Sequence, residues 1–357
     1  MPTRVTAIVI ILLLLIAAGE GLAITSLYES NINYSAQISS LKAQLSQLEG
    51  SLYPMTVVDD LNRTVIVPHE PQRVVSLEPS DTQIVFAIGE GGKIVGATKY
   101  DDWPTELANS ISSGKIVSVG GILSRTISLE TVLGLKPDLV LAWGLGGEQS
   151  QIIQQIANAG IPVLVLAPSN MSMIYNDVLL VGKVLNAYQN ASNVVKDMQK
   201  VVDYVSARVA NSPRPSVFYE VWNDPLITAS STSFIGQLID IAGGNNIFSN
   251  ITEQFPTVSL EAVVSLNPQI IIATNEFNMT ADQIANQPGF QETTAAKEGM
   301  VFVLTNPGLV EEPGPRLVEG LLVLARFIHP DLFNSTNVNI FNDSTGEFNG
   351  TVISQFS

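Results

Sequence analysis

Apolar residues in this chain fall into short unbroken runs, separated by stretches where they recur every three or four positions. RVVSL at 73–77, KIVGAT at 93–98, DLVLA at 138–142 and VLVL at 163–166 read as strands apolar on both faces. Between them 82–88, 128–135 and 148–159 carry helical spacing, the first and last stopped by Gly89 and Gly160. Upstream, 56–68 reads as a hairpin of two short strands around Asp60 to Asn62. The alternation resumes with a strand at 215–222 and a helix at 234–242 closed by Gly243 and Gly244. A helix–strand unit at 259–273, a strand at 300–304 and a final helix at 316–329 follow. Apolar strands alternating with helices predict parallel sheets covered by helices, an α/β fold.

Two of these units are copies of one another. ISLETVLGLKPDLVLAW, Ile127 to Trp143, and VSLEAVVSLNPQIIIAT, Val258 to Thr274, lie 131 residues apart and share seven of 17 positions without a gap. Solenoid repeats run to roughly 20–50 residues. A period this long predicts one Rossmann-like α/β lobe built twice, with a ligand cleft between the lobes.

The segment between the lobes, 171–209, has no proline and one glycine, Gly182. Val194, Val195, Met198, Val201, Val202, Val205 and Val209 fall at helical spacing, so 190–210 predicts a single long connecting helix. At 1.5 Å per residue it is about 30 Å long, stiffer than a pair of hinge strands, and limited closure on binding is expected. Ahead of the lobes, Arg4 precedes an apolar run at 5–19. That layout reads either as a cleaved secretory signal or as an uncleaved membrane anchor, and both export the rest of the chain. Ile38, Leu41, Leu45, Leu48 and Leu52 then form a short heptad seam, read as a helical stalk. The expected division is therefore 1–27 signal or anchor, 28–54 stalk, 55–170 N-terminal lobe, 171–212 connecting helices, 213–330 C-terminal lobe and 331–357 polar tail. Nine Asn-x-Ser/Thr sequons, among them Asn62, Asn170 and Asn190, suggest a glycosylated exported protein.

Composition narrows the chemistry. The net charge is −16 with only 17 Lys and Arg, which argues against nucleic acid as a partner. No cysteine is present, so disulfides, thiolate metal sites, cysteine nucleophiles and a cysteine-borne lipid anchor are excluded. Two histidines, His69 and His329, cannot make a three-histidine metal site. No Gly-x-Ser-x-Gly elbow, HExxH or phosphate loop occurs, and Gly89 to Gly92 reads as a helix-ending turn. No enzyme activity, metal site or intrinsic cofactor is expected. Glu130 and Glu261 stand at the same point of the duplicated unit, each after a Ser-Leu that starts a helix. Either acid alone complements the helix dipole; the matched pair suits two arginines of a partner.

RVVSLEP at 73–79, KIVGATKY at 93–100, the unit from Ser128 to Leu141, AGGNNIF at 242–248, VSLE at 258–261 and Gly314-Pro-Arg316 are similar to stretches of one family. The chain from about Thr56 to Pro330 resembles the cobalamin and ferric-siderophore substrate-binding proteins of ABC transporters. That resemblance implies two lobes bridged by one long helix and a metal chelate held between them. Cobalamin or a ferric siderophore comes first and heme second, delivered to a permease dimer with its ATPase. It implies that Glu130 and Glu261 dock to arginines of the two permease subunits. It places Tyr100, Trp143 and Phe255 on the cleft walls, where aromatic faces suit a flat macrocycle. Trp222, ending the second lobe's first strand, and Trp103 are further candidates. Arg316 suits an anionic ligand group, against a structural alternative of an ion pair with Glu311 or Glu312. Core packing is the alternative for Trp143, and a glycosylated surface or adhesion protein the alternative for the whole chain.

Overall fold

The computed structural model describes residues 52–121, 127–144, 148–274, 279–333, 341–342 and 347–348. The apolar segment 1–27, nearly all of the stalk and most of the tail lie outside these residues. Strands β1 (Met55–Val58) and β2 (Thr64–Val67) form a hairpin with the expected turn, Asn62 taking a left-handed φ of 56°. Next come β3 (Val74–Ser76), α1 (Pro79–Ala87), β4 (Ile94–Ala97), α2 (Thr105–Ser112), β5 (Val117–Ser118) and α3 (Leu129–Gly134). The first lobe closes with β6 (Leu139–Trp143), α4 (Glu148–Asn158) and β7 (Val163–Leu166). Its sheet is five-stranded in the order β5-β4-β3-β6-β7, with every neighbouring pair parallel.

Two helices follow, α5 (Met171–Val184) and α6 (Tyr188–Val209), the latter being the long connector at 22 residues. The chain breaks between them at Asn186, whose φ is 59°. A Cβ on Gly182 would sit 2.3 Å from the Ala191 Cβ, so glycine there lets α5 and α6 pack closely. Helix α5 packs on α1 of the first lobe, and α6 on the last helix of the second, Leu317–Ile328. Val194, Val195, Met198, Val201, Val205 and Val209 are buried along one face of α6. Burying each such side chain contributes roughly 1.5–3 kcal/mol.

The second lobe runs β8 (Ser216–Trp222), β9 (Ile227–Thr228), α7 (Phe234–Ile241), β10 (Asn245–Asn246), α8 (Leu260–Leu266) and β11 (Ile270–Thr274). It ends with α9 (Ala281–Ala285), α10 (Thr294–Lys297), β12 (Val301–Leu304), α11 (Gly308–Glu311) and α12 (Leu317–Ile328). The order β10-β8-β11-β12 is parallel throughout, and β9 adds antiparallel to β8. In the tail, read as extended from sequence, β13 (Phe341–Asn342) and β14 (Glu347–Phe348) pair antiparallel. Among the described residues no helix is long and apolar enough to cross a membrane.

The duplicated units are α3–β6 and α8–β11, and their cores correspond residue for residue. Val132, Val140 and Ala142 belong to the first lobe's core, and Val263, Ile271 and Ala273 to the second's. Val140 lies between Val75 and Val163, as Ile271 lies between Phe218 and Val301. Lys136 and Asn267 both take a left-handed turn before proline, at φ 48° and 45°. Asn267 makes use of it, its Oδ1 accepting the Thr294 amide at 2.7 Å. Helix starts follow local chemistry: α1 begins at Pro79, earlier than its apolar spacing from Thr82 indicates, because proline is preorganised for the first turn.

Candidate functional site

In each sheet the strand order reverses at a single place. That place is β3/β6 in the first lobe and β8/β11 in the second. Open parallel sheets bind ligands at such switch points, beyond the carboxyl ends of the strands. The residues leaving those ends are Leu77 and Glu78 after β3, Trp143 and Gly144 at the end of β6, Glu220 to Trp222 in β8 and Thr274 in β11.

Buried acids gather here. Glu78 is the N-cap of α1 and Asp81 lies in its first turn. Burial is the main cause pushing both carboxyls well above their ordinary range, and repulsion adds to it, from Asp81 first on Glu78 and from Asp101 first on Asp81. Asp101, in the loop after β4, accepts the Thr98 amide at 2.7 Å and its hydroxyl at 2.6 Å. Burial still raises it to about 6. Glu312 follows α11 in the second lobe and is raised to about 8, by burial first and then by Asp102 and Asp101. The Gln83 amide of α1 donates to Glu312 Oε2 and ties the two lobes together. Nearby in the second lobe, the Tyr219 hydroxyl donates to Glu311 at 3.2 Å, and burial lifts Glu220 to about 7. The acidic chain continues beneath the first lobe. Asp177 of α5 is raised to about 9, chiefly by burial and then by Asp60 and Asp81, and is hydrogen-bonded to Asp60. Among the described residues no group of three or more His, Asp or Glu is placed to hold a metal ion.

The residues singled out from sequence are placed as follows. Trp143, the last residue of β6, is half-buried and in register with Leu166 rather than sealed in the core. Trp222 is 39% exposed at the end of β8, its indole N–H donating to the Asp224 carbonyl at 2.9 Å. Tyr100 is 51% exposed in the loop after β4, with the Lys99 ammonium 4.8 Å from its ring centre. Phe255 is half-buried and packs edge-on against Phe234 at 6.1 Å. Trp103 is buried, and the Arg316 guanidinium lies over its ring at 5.2 Å. Arg316 is the N-cap of α12, where a cation opposes the helix dipole. Glu319 in the first turn offsets this by pairing with it at 3.3 Å, and the Arg316 charge also acts on the Glu312 carboxyl. His69 is exposed beside Glu70, and buried His329 stands 3.3 Å from the Gly243 carbonyl at the far end of α12.

Glu130 and Glu261 are both exposed in the first turns of α3 and α8. The preceding serines cap the helices alike. Ser128 Oγ accepts the Thr131 amide at 3.1 Å and Ser259 Oγ the Ala262 amide at 3.2 Å. The Glu261 carboxyl is held below its ordinary value by its own backbone N–H and by the Ser259 hydroxyl, so it carries its charge at neutral pH.

The model of a periplasmic binding protein family matches residues 74–307, spanning both sheets and the long helix. The chain belongs to that family. It is 33% identical over 288 residues to a Bacillus subtilis protein named an uncharacterized ABC transporter substrate-binding lipoprotein, covering 79% of this chain and 88% of the relative. It is 30% identical over 219 residues to a vitamin B12-binding protein of Yersinia pestis, covering 61% of this chain and 74% of the relative. The periplasmic vitamin B12-binding protein of Vibrio cholerae has a similar structure, with a TM-score of 0.62 at 23% identity. That match covers 75% of this chain and all of the other. Two α/β lobes joined by one long helix are thus the family's architecture as well as this chain's, and substrate binding for ABC importers is the family's role.

Glu78, Asp81, Gln83 and Asp101 were not singled out from sequence. Their signal was modest: LEPSDTQ at 77–83 sets two acids and an amide directly after a strand apolar on both faces. That is the position where an open sheet presents side chains to a ligand.

Proposed function

We propose that this chain is the extracytoplasmic binding component of an ABC importer for a metal chelate. Cobalamin or a ferric siderophore is the first choice and heme the second. The ligand sits beyond the carboxyl ends of the two sheets, with Tyr100, Trp143, Trp222 and Phe255 offering aromatic faces. Aromatic faces stack on a flat or apolar chelate surface and contribute about 1 kcal/mol each beyond simple burial. The chain carries out no chemical step; it captures, delivers and releases. The segment 1–27 tethers or exports it, and 28–54 lifts it from the membrane surface.

The observation that carries this reading is the paired placement of Glu130 and Glu261. Each is exposed, each follows a capping serine, and each sits at the same point of a duplicated unit. Two such carboxylates form a two-point dock for arginines on the two permease subunits. Replacing both with alanine leaves chelate affinity unchanged, measured by tryptophan quenching with cyanocobalamin, hemin and ferric siderophores. Uptake into cells carrying the cognate permease is lost. Uptake at the wild-type rate ends the docking assignment, and binding of none of these chelates ends the ligand assignment.

A further inference from the structure

The acids between the lobes form a seam whose open atoms are all oxygens. Gln83, 2% exposed, spends its amide on Glu312, while its carbonyl Oε1 has no hydrogen-bond partner. Glu78 Oε2 and Asp81 Oδ2 are also buried without one. Native interiors satisfy nearly all such atoms, so several at one spot in a ligand-binding fold point to a group that arrives from outside. The surrounding charges specify its sign. Glu78 faces Asp81, Glu312 and Asp101; Asp81 faces Asp101 and Asp60. Glu312 faces Asp102, Asp101, Glu311 and Arg316. Arg316 is the sole cation of that set, and Glu319 and the Trp103 ring already engage it.

Resting on the chelate-binding reading above, we propose that this seam is a counter-charge subsite. Through it the cleft takes a metal chelate of net positive charge in preference to a neutral or anionic one. Without ligand, the buried acids keep their protons, since burial and mutual repulsion both favour the neutral form. A cation brought against the seam reverses that preference. For each positive charge bound, one carboxyl ionises and one proton leaves to solvent, so the buried site stays neutral. An anionic chelate draws no such proton release from the seam, and the cations on its side are Arg316, already paired with Glu319, and Lys99, whose ammonium lies over the Tyr100 ring.

Matched chelates differing in one charge test this on the full chain. Aquacobalamin is a cation and cyanocobalamin is neutral around the same corrin. Ferrioxamine B is a cation and ferrichrome a neutral hydroxamate; hemin supplies the anionic arm. In whichever series binds, the cation is expected to bind at least tenfold more tightly at pH 7. Calorimetry in buffers of different ionisation enthalpy is expected to show about one proton released per cation bound, by the balance above. Glu78→Gln with Glu312→Gln keeps the neutral shape, reduces the cation preference at least threefold and removes the proton release. Equal affinity within the pair, or no proton release on cation binding, overturns the counter-charge subsite while leaving the chelate reading intact. Failure of every probe to bind overturns both. The wild-type comparison decides the matter even where the double variant does not fold.

Discussion

Asp177→Asn isolates the cost of burying the acidic chain, because Asp177 lies in α5 beneath the first lobe and outside the seam. Its carboxyl is 1% exposed, raised from 3.8 to about 9 mainly by burial, and hydrogen-bonded to Asp60. A carboxyl whose folded pKa lies above its unfolded value contributes stability that is fully present below the unfolded pKa. That stability is lost as pH rises towards the folded pKa. Here the window runs from about pH 4 to about pH 9. Each pH unit across it costs about 1.4 kcal/mol. At pH 7 the full loss is on the order of 4 kcal/mol, a ceiling that local relaxation reduces. Even half of that is a large share of a net stability of about 5–15 kcal/mol. Asparagine fills the same space, retains an N–H for Asp60 and cannot ionise. The variant is therefore expected to match the wild type near pH 4 to 5 and to exceed it by about 2 kcal/mol or more at pH 8. Urea unfolding of the ligand-free protein, followed by tryptophan fluorescence at several pH values, measures the difference. A stability gap that does not widen between pH 5 and pH 8 refutes the assignment of Asp177 as a buried, proton-holding acid.

Two further substitutions probe other parts of the molecule. Trp143→Ala is expected to weaken chelate binding by more than ~1 kcal/mol through the lost ring contact, read by titration. Unchanged affinity returns this residue to a packing role between β6 and β7. Gly320→Ala places a Cβ 2.0 Å from the Leu309 carbonyl oxygen, where α12 closes on α11. Backbone cannot yield as a flexible side chain does, so a loss of about 3 kcal/mol or more is expected. Thermal unfolding checks it, and a melting temperature within one degree of wild type sinks the close-approach argument.

What could be read from the sequence follows what each feature depends on. Val132 and Val263, or Val140 and Ile271, are legible as core because their burial is fixed by strand and helix periodicity within one short unit. The connecting helix is legible for the same reason, and its predicted start at 190 lies two residues from the observed Tyr188. The break ahead of it at Asn186 is harder, since an asparagine tolerates a left-handed φ without announcing it. The aromatic candidates were visible as residue types; of them Tyr100 and Trp222 are exposed, Trp143 and Phe255 half-buried, and Trp103 buried. The carboxyl seam was not visible, for a physical reason. Gln83 and Glu312 are 229 positions apart, and nothing local to either marks the other. Acids in a sequence read as solvated surface by default; only the fold makes Glu78 and Asp81 interior and brings Glu312 against them. On the proposed reading, ligand charge depends on long-range burial, whereas the docking role of Glu130 and Glu261 depends on a local duplicated motif. Specificity and delivery would then be encoded at different ranges along the same chain, and a substitution in one is expected to leave the other undisturbed.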